Sequence, residues 1–571
     1  MHTRRQVLKA GLGLFAYGAT GVSNARSLIS ARPPASRLAD LSGKSCRPLA
    51  TRYRDPKPRL IDGLPFKNWF EGDDFNDGLN IPFHSAENNF PGGVPPEPDE
   101  VVQVAVVGGG ISGLASAYLL RQYNPVVFEL HSIFGGNAQG GVIDGAEYPL
   151  GSAYVITPDP GSALDHFYRE LGLHEVTRPD VAAAPVEING VIHEDIWSGI
   201  GVPPEDVPAI EAYRKLVLRM ADDYPDVPFP EQWMRDLDRI SLRQHIEEEV
   251  ALPIPATLSA AVQAYCYSSF GAGWEEISAL LGWNFLAAEE FGRWVFPGGN
   301  AWMADALWQR LRDLDHASPM LAPHLRAGSR VVDVRVRPDR MVQLTWRTPD
   351  GLFRSMLAQH VVMSCPKHVC RHVIHDLERI DPQRFNAMNL HRRAYVVANV
   401  LLDRPVSRDF YDIFLLGEPK SFPMSEGQAT SFWRYTDVLD GSYANRRDML
   451  PGRPSVLSLF WPLAYDTARF DLVQGDPVLA FGQALASQLN ETLTLLDMPR
   501  SAVREIRFTR WGHALPVAQV GFVANGIAHA IRRPFQDRVY FVNQDNWALP
   551  AVENSLYDAF ETASTIAAAL G

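Results

Sequence analysis

The chain has 571 residues, 46% of them hydrophobic and 10% aromatic, with a formal charge of −13. That length exceeds one ordinary core and the apolar content is enough for two, while the acidic balance argues against nucleic acid as a partner. Cys46, Cys266, Cys365 and Cys370 are too few and too scattered for a disulfide scaffold, and His2, His131, His193 and the other histidines form no ligand cluster, so no metal is expected. The cysteines read as ordinary thiols, with a pairing of Cys365 with Cys370 as the alternative in an oxidising compartment.

The N-terminus carries Thr3-Arg4-Arg5-Gln6-Val7-Leu8-Lys9, then a weakly apolar run from Ala10 to Val22. Paired arginines, an apolar residue and a lysine are the pattern of a twin-arginine signal. It predicts passage through the twin-arginine translocase in the folded state and a periplasmic location. Ser23-Asn24-Ala25 offers a cleavage site, giving a signal over 1–25, with an uncut anchor as the alternative. Residues 26–100 are rich in Pro, Gly, Asp and Asn and read as an arm, lying on the body of the protein or binding a partner.

Val102 to Leu114 then reads as a buried strand, a glycine turn and the start of a helix, and Val126-Val127-Phe128-Glu129 as a second strand ending in an acid. Gly108, Gly110 and Gly113 allow a tight turn, close approach to a pyrophosphate and close helix packing. Ile111 and Ser112 open the helix, whose N-terminus favours phosphate. Glu129 lies where a carboxylate accepts the ribose hydroxyls of an adenine dinucleotide. Val101 to Leu120 is apolar over about the length of a bilayer span, yet its glycines favour the strand-turn-helix reading.

Further segments follow in order: Phe134-Gly135-Gly136-Asn137; Glu147 to Val155; a helix Gly161 to Leu173; Phe296-Pro297-Gly298-Gly299-Asn300 before a helix Ala301 to Arg312; Gly328 to Val334; Val361 to Pro366; Arg538 to Asp545; and a helix within Trp547 to Leu570. Together they resemble the flavin-dependent amine oxidase superfamily over 101–571. The resemblance implies FAD lined by Gly135, Gly136, Asn137, Gly151 and Ser152, with the backbone of Val331 on the adenine. It places Asp545 at the ribityl and pyrophosphate end and turns the start of the last helix, at Ala551 and Val552, toward the flavin. Asn137 stands where the superfamily usually has Arg. No cysteine lies in 505–571, where some members bond covalently to FAD, so the cofactor is expected to be non-covalent. Arg510 to His513, Val542 to Asp545 and Ala394 to Val400 look most like the spermidine dehydrogenase group.

The fold class is therefore α/β: a Rossmann-type FAD domain from 101–180, 295–385 and 505–571, interrupted by a substrate domain from 181–294 and 386–504. The first insertion is predicted to be helical over Pro208 to Asp223, Leu242 to Val250, Pro255 to Phe270 and Trp274 to Phe291. The second contains strands Ala394 to Leu402 and Ser455 to Leu463 and a helix Pro477 to Leu496, giving a mixed sheet with a helical cap.

The resemblance implies an exported oxidoreductase that takes a hydride from the carbon beside an amine nitrogen to flavin N5, passing electrons to a periplasmic acceptor or oxygen. Candidate site residues are Trp511 as a wall, His513 as proton acceptor, anchor or structural residue, and Tyr154, facing the cavity or packing beneath the ring. Trp274-Glu275-Glu276, Trp283, Glu289-Glu290-Phe291 and Trp294 read as an amphipathic helix with its glutamates in solvent, ahead of a cage for the ammonium groups of a polyamine. Lys367 falls too early for the lysine that many relatives hold near N5, leaving His368 or His375 as substitutes. Two other readings stay open: a desaturase of the phytoene-desaturase type, and a non-catalytic redox-partner module.

Overall fold

The computed structural model describes residues 42–46, 57–73, 93–181, 184–317, 324–448 and 454–571. The twin-arginine segment, its cleavage site and much of the arm lie outside these residues. Among the described residues no helix is long and apolar enough to cross a membrane; the apolar stretch after Val101 folds as the strand Glu100–Val107 and the helix Ile111–Leu119.

A five-stranded parallel array, in the order Leu325–Arg326, Val126–Phe128, Glu100–Val107, Phe353–Met363, Val539–Phe541, is the centre of the first sheet. The antiparallel strands Val342–Arg347 and Arg330–Val336 extend it from the first half of Phe353–Met363. Its strands are apolar without alternation because both faces are covered. Val104 and Val106 enter one core with the helices Ile111–Leu119, Ala301–Ala317 and Val552–Leu570, while Ala105 and Val107 enter another beneath the helical cap.

The second sheet has ten strands. Its centre is the antiparallel pair Arg392–Leu402 and Val503–Pro516, so residues 505–516, expected in the third FAD stretch, are part of this sheet. All eleven residues of Arg392–Leu402 are buried, because its even-numbered side chains from Ala394 pack into a core with Pro477–Leu495 while Tyr395 and Val397 face a cavity beside Trp511. The strands Val186–Ile188, Asp412–Gly417 and Asp437–Asp440 complete one side, and parallel and antiparallel pairs coexist.

The described part of the arm is built into this scaffold. Arg59–Ile61, Leu64–Phe66 and Glu71–Gly72 add strands to the second sheet, burying Leu64 and Phe66. Lys44 runs beside Ser132 to Phe134, donating its N–H to the Ser132 carbonyl at 2.8 Å and accepting from Phe134 at 3.1 Å.

The cap contains Val207–Asp222, Leu242–Val250, Ala256–Phe270 and Ala279–Leu286. The expected helix from Trp274 begins only at Ala279. Ser278 accepts from the Leu281 N–H at 3.4 Å as its cap, and Trp274 to Ile277 form the turn before it. Trp274 and Trp283 are fully buried and Glu290 is exposed, as expected, but Glu289 is only half-exposed and turns inward to Tyr154.

Candidate functional site

The dinucleotide turn follows from three close approaches. Gly108 has φ +113°, which lets the chain leave the strand under the Ser364–Cys365 backbone. A Cβ on Gly113 would lie 1.9 Å from the Gly108 carbonyl oxygen, so only glycine lets the helix seat against the turn. Gly110 differs: a Cβ there would meet nothing nearer than 3.8 Å, leaving open space at the start of the helix, where Ile111 and Ser112 present their backbone.

Glu129 is buried at the end of its strand; Oε2 accepts the Gly109 N–H at 2.8 Å and Oε1 the His131 N–H at 2.9 Å. Each oxygen keeps a lone pair. Burial pushes its carboxyl up from the ordinary range, opposed by these N–H donors and by His131. Gly135 and Gly136 pass under Gly110, the Gly135 N–H donating to the Gly109 carbonyl at 2.8 Å, and the exposed Asn137 follows. The Ser329 N–H donates to the Glu129 carbonyl at 2.8 Å, which brings Val331 close beyond the acid.

At the other end, buried Asp545 accepts from the Lys367 N–H at 2.8 Å and Arg392 Nη1 at 2.7 Å, while its Oδ1 has no partner among the described residues. Burial would raise the Asp545 carboxyl, but Arg392 and Lys367 outweigh it and hold it below the usual range. Ala551 caps the helix Val552–Leu570, whose first turn opens onto the cavity with no side-chain cap. A dinucleotide fits this arrangement: an open glycine and two helix N-termini for phosphate and flavin, a ribose acid with lone pairs to spare, and an orphaned buried carboxylate oxygen.

Between the two sheets lies a cavity with about 1040 Å³ of empty space, its open mouth included. Gly151, Ser152 and Asn137 border it on the cofactor side. A Cβ on Gly151 would fall 2.5 Å from the Asn137 carbonyl and 3.1 Å from Trp511 Nε1. The Phe296–Asn300 turn braces this strip, Asn300 Nδ2 donating to Ser152 Oγ and to the Tyr154 carbonyl, both at 2.7 Å.

Trp511 is a wall of the cavity, with Nε1 donating to the Leu150 carbonyl at 2.9 Å and its ring packed against Tyr395 and Ala514. Trp511→Ala is expected to keep its flavin, since the glycine turn and Glu129 are untouched, but to slow flavin reduction by substrate about tenfold or more; rapid-mixing absorbance without oxygen measures both. Tyr154 also faces the cavity. Its hydroxyl donates to Glu289 Oε1 at 2.8 Å, and burial first, then the Glu289 charge, keep it a neutral phenol.

His513 is not brought to the cavity. Tyr395 pairs with Trp511 but Arg393 with Leu515, so two extra residues bulge between them and the period-2 alternation that would align His513 with Trp511 is broken. The His513 ring stacks on His368, centroids 4.3 Å apart, and contacts Arg469. Burial and then Arg392 and Arg469 pull its pKa down to about 3, so it stays neutral. His375 sits beside Asp333, 3.3 Å away, and Lys367 Nζ donates to Asn543 at 2.7 Å, so neither faces the cavity. Cys365 and Cys370 are free thiols with sulfurs 3.5 Å apart.

The sequence reading missed the polar cluster in the cavity wall. Arg293 is bound by Asp180 Oδ2 at 2.6 Å, lies 3.5 Å from Glu289 and 3.6 Å from Asp412, and Tyr265 also donates to Glu289 at 3.0 Å. Asp412 and Asp437 line the cavity from short strands absent from the sequence reading; the available signal was an acid inside an otherwise apolar run, Tyr411-Asp412-Ile413-Phe414 and Thr436-Asp437-Val438-Leu439.

Residues 106–171 match the family described as an NAD(P)-binding Rossmann-like domain. The chain is 22% identical to Oxidoreductase PigB of Serratia sp. (strain ATCC 39006), over 91% of this chain and 80% of that protein. It superposes on wild-type putrescine oxidase bound to putrescine with a TM-score of 0.59 at 18% identity, covering 82% of this chain and 99% of the other. Cyclohexylamine oxidase from Brevibacterium oxydans IH-35A gives a TM-score of 0.58 at 16% identity, with 82% and 99% covered. The fold is that of these amine oxidases.

Proposed function

We propose that this chain, with the fold of the flavin amine oxidases, is an exported FAD-dependent oxidoreductase that oxidises an amine and passes electrons to a periplasmic acceptor or oxygen. The observation that carries the amine reading is the charge at the cavity wall: Asp412 and Asp437 line it with a single cation among these residues, Arg293, which Asp180 and Glu289 neutralise from behind. Such a wall favours a cationic substrate and disfavours an acid.

FAD would be held by the Gly108–Gly113 turn, Glu129, Gly135, Gly136, Asn137, Val331, Gly151, Ser152 and the Asp545 to Val552 end. When bound, it supplies the two-electron oxidant that accepts hydride from the carbon bearing nitrogen. The protein's own part is orientation and electrostatics. Trp511, Tyr395 and Phe460 give the substrate an aromatic channel. Tyr154 and Tyr265, both tied to Glu289, fix the acid cluster in place, and the bracing Asn300 holds Ser152 and Tyr154 at the cofactor side.

The test is the visible absorbance of the holoprotein without oxygen as putrescine, spermidine, cyclohexylamine and other primary amines are added in turn. Bleaching of the flavin bands by one or more amines is expected. Flavin that no amine bleaches, but that a long apolar polyene reduces, would replace the amine reading with the desaturase one.

A further inference from the structure

We propose that Asp437, paired with Asp412 in the cavity wall, takes the proton from the substrate's ammonium group, so that the amine is oxidised from its neutral form. The inference rests on the amine reading above and names a catalytic residue for it.

The register of two neighbouring strands makes the pair. Asp412–Gly417 and Asp437–Asp440 run antiparallel with Asp412 opposite Leu439 and Phe414 opposite Asp437, and all four side chains line the cavity. The two acids are thus diagonal neighbours on one face, about 7 Å apart at Cα. Both are buried, and Asp412 Oδ1 has no hydrogen-bond partner among the described residues.

The groups around the pair come from every element packed on it. Arg293 approaches Asp412 Oδ2 at 3.6 Å but is already bound by Asp180 and close to Glu289. Thr436 donates its hydroxyl to Asp437 Oδ1 at 2.6 Å, and Ser268, on the helix Ala256–Phe270, donates to Asp437 as well. Tyr395 and Tyr411 flank the pair as neutral phenols, both held well above their usual pKa by burial.

A charge on either of two buried neighbouring carboxyls disfavours a charge on the other. Burial and then the Asp437 charge push Asp412 well up, so Asp412 holds its proton. Burial lifts Asp437 to about 7, against Thr436, Ser268 and Arg293, so it is ionised near neutral pH yet a competent acceptor. An incoming ammonium meets a wall that is negative even with one proton on the pair, and desolvation in the aromatic cavity lowers its own pKa. In the step, the N–H bond breaks and its electron pair stays on nitrogen, while an O–H bond forms on Asp437. A cation and an anion become two neutral groups, which the dry cavity favours. The neutral amine then releases hydride as its lone pair closes the C=N bond, and Asp437 returns its proton to solvent after product leaves.

The test is rapid-mixing flavin reduction in the holoenzyme and in Asp437→Asn between pH 6 and 10. It uses the best amine of the panel and its analogue with a trifluoromethyl group on the carbon bearing nitrogen, which is already the free amine at neutral pH. With the ordinary amine, Asp437→Asn should be about 100-fold slower at pH 7 and recover about tenfold per pH unit as free amine appears, following an ammonium pKa near 10. With the trifluoromethyl amine, wild type and variant should agree within about threefold. In the wild type alone, the ordinary amine should show an inflection near pH 7 that the trifluoromethyl amine lacks, a readout that stands if the variant does not fold. Asp412→Asn, which removes no base, should keep the wild-type preference between the two amines. Equal loss with both amines, or none with the ordinary amine, overturns the inference while leaving the amine reading intact. Wild-type flavin that no amine reduces overturns that reading, and this inference with it.

Discussion

Glu129→Ala is expected to fold but to purify with less than a tenth of its flavin, read from the ratio of visible to ultraviolet absorbance after gel filtration. The carboxylate already accepts the Gly109 and His131 N–H groups, so it is fixed in position, and its remaining lone pairs are aimed where a ribose diol would sit. Hydrogen bonds to a charged group contribute about 1.5–3 kcal/mol each. Losing two weakens binding by about 3–6 kcal/mol, or roughly 10²- to 10⁴-fold. Glu129→Gln, which keeps the shape and one acceptor, should fall between. Normal flavin content in Glu129→Ala would remove the ribose assignment.

Gly113→Ala and Gly110→Ala should separate folding from binding at one turn. In Gly113→Ala the new methyl would lie 1.9 Å from the Gly108 carbonyl oxygen and 3.2 Å from Ser364 Cβ, so the helix must back away from the strand. Overpacking of a rigid backbone contact costs about 3 kcal/mol or more, and little soluble, flavin-loaded protein is expected. In Gly110→Ala the methyl meets nothing nearer than Gly136 Cα at 3.8 Å. The protein should fold with near-native circular dichroism and melting temperature yet bind little flavin, because the methyl occupies the space left for pyrophosphate. Gly110→Ala with full flavin would place the phosphates elsewhere.

The contrast between Trp511 and His513 shows why part of the site was legible and part was not. Trp511 was a candidate from the resemblance, and it faces the cavity. Two residues on, His513 should share that face, but the bulge opposite Arg393 turns it onto His368. A bulge is set by the pairing of two strands more than 100 residues apart in sequence. Glu289 behaves in the same way. Its helical spacing placed it in solvent, yet the turn after Leu286 carries it back to Tyr154 and Tyr265.

By itself the sequence determined the strand-turn-helix with Gly108, Gly110 and Gly113, the acid at Glu129, the long strands Ala394 to Leu402 and Ser455 to Leu463, and the α/β class with its interrupted sheet. These are local properties: a left-handed glycine, an apolar run and a period of two or 3.6 act over a few neighbouring residues. The tertiary structure alone decided that the arm adds strands to the second sheet, that Asp545 is held by Arg392, and that Asp412 and Asp437 meet beside Arg293. Those contacts join segments up to several hundred residues apart, and their energies depend on burial and on the distance between charges, neither of which exists until the chain has closed on itself.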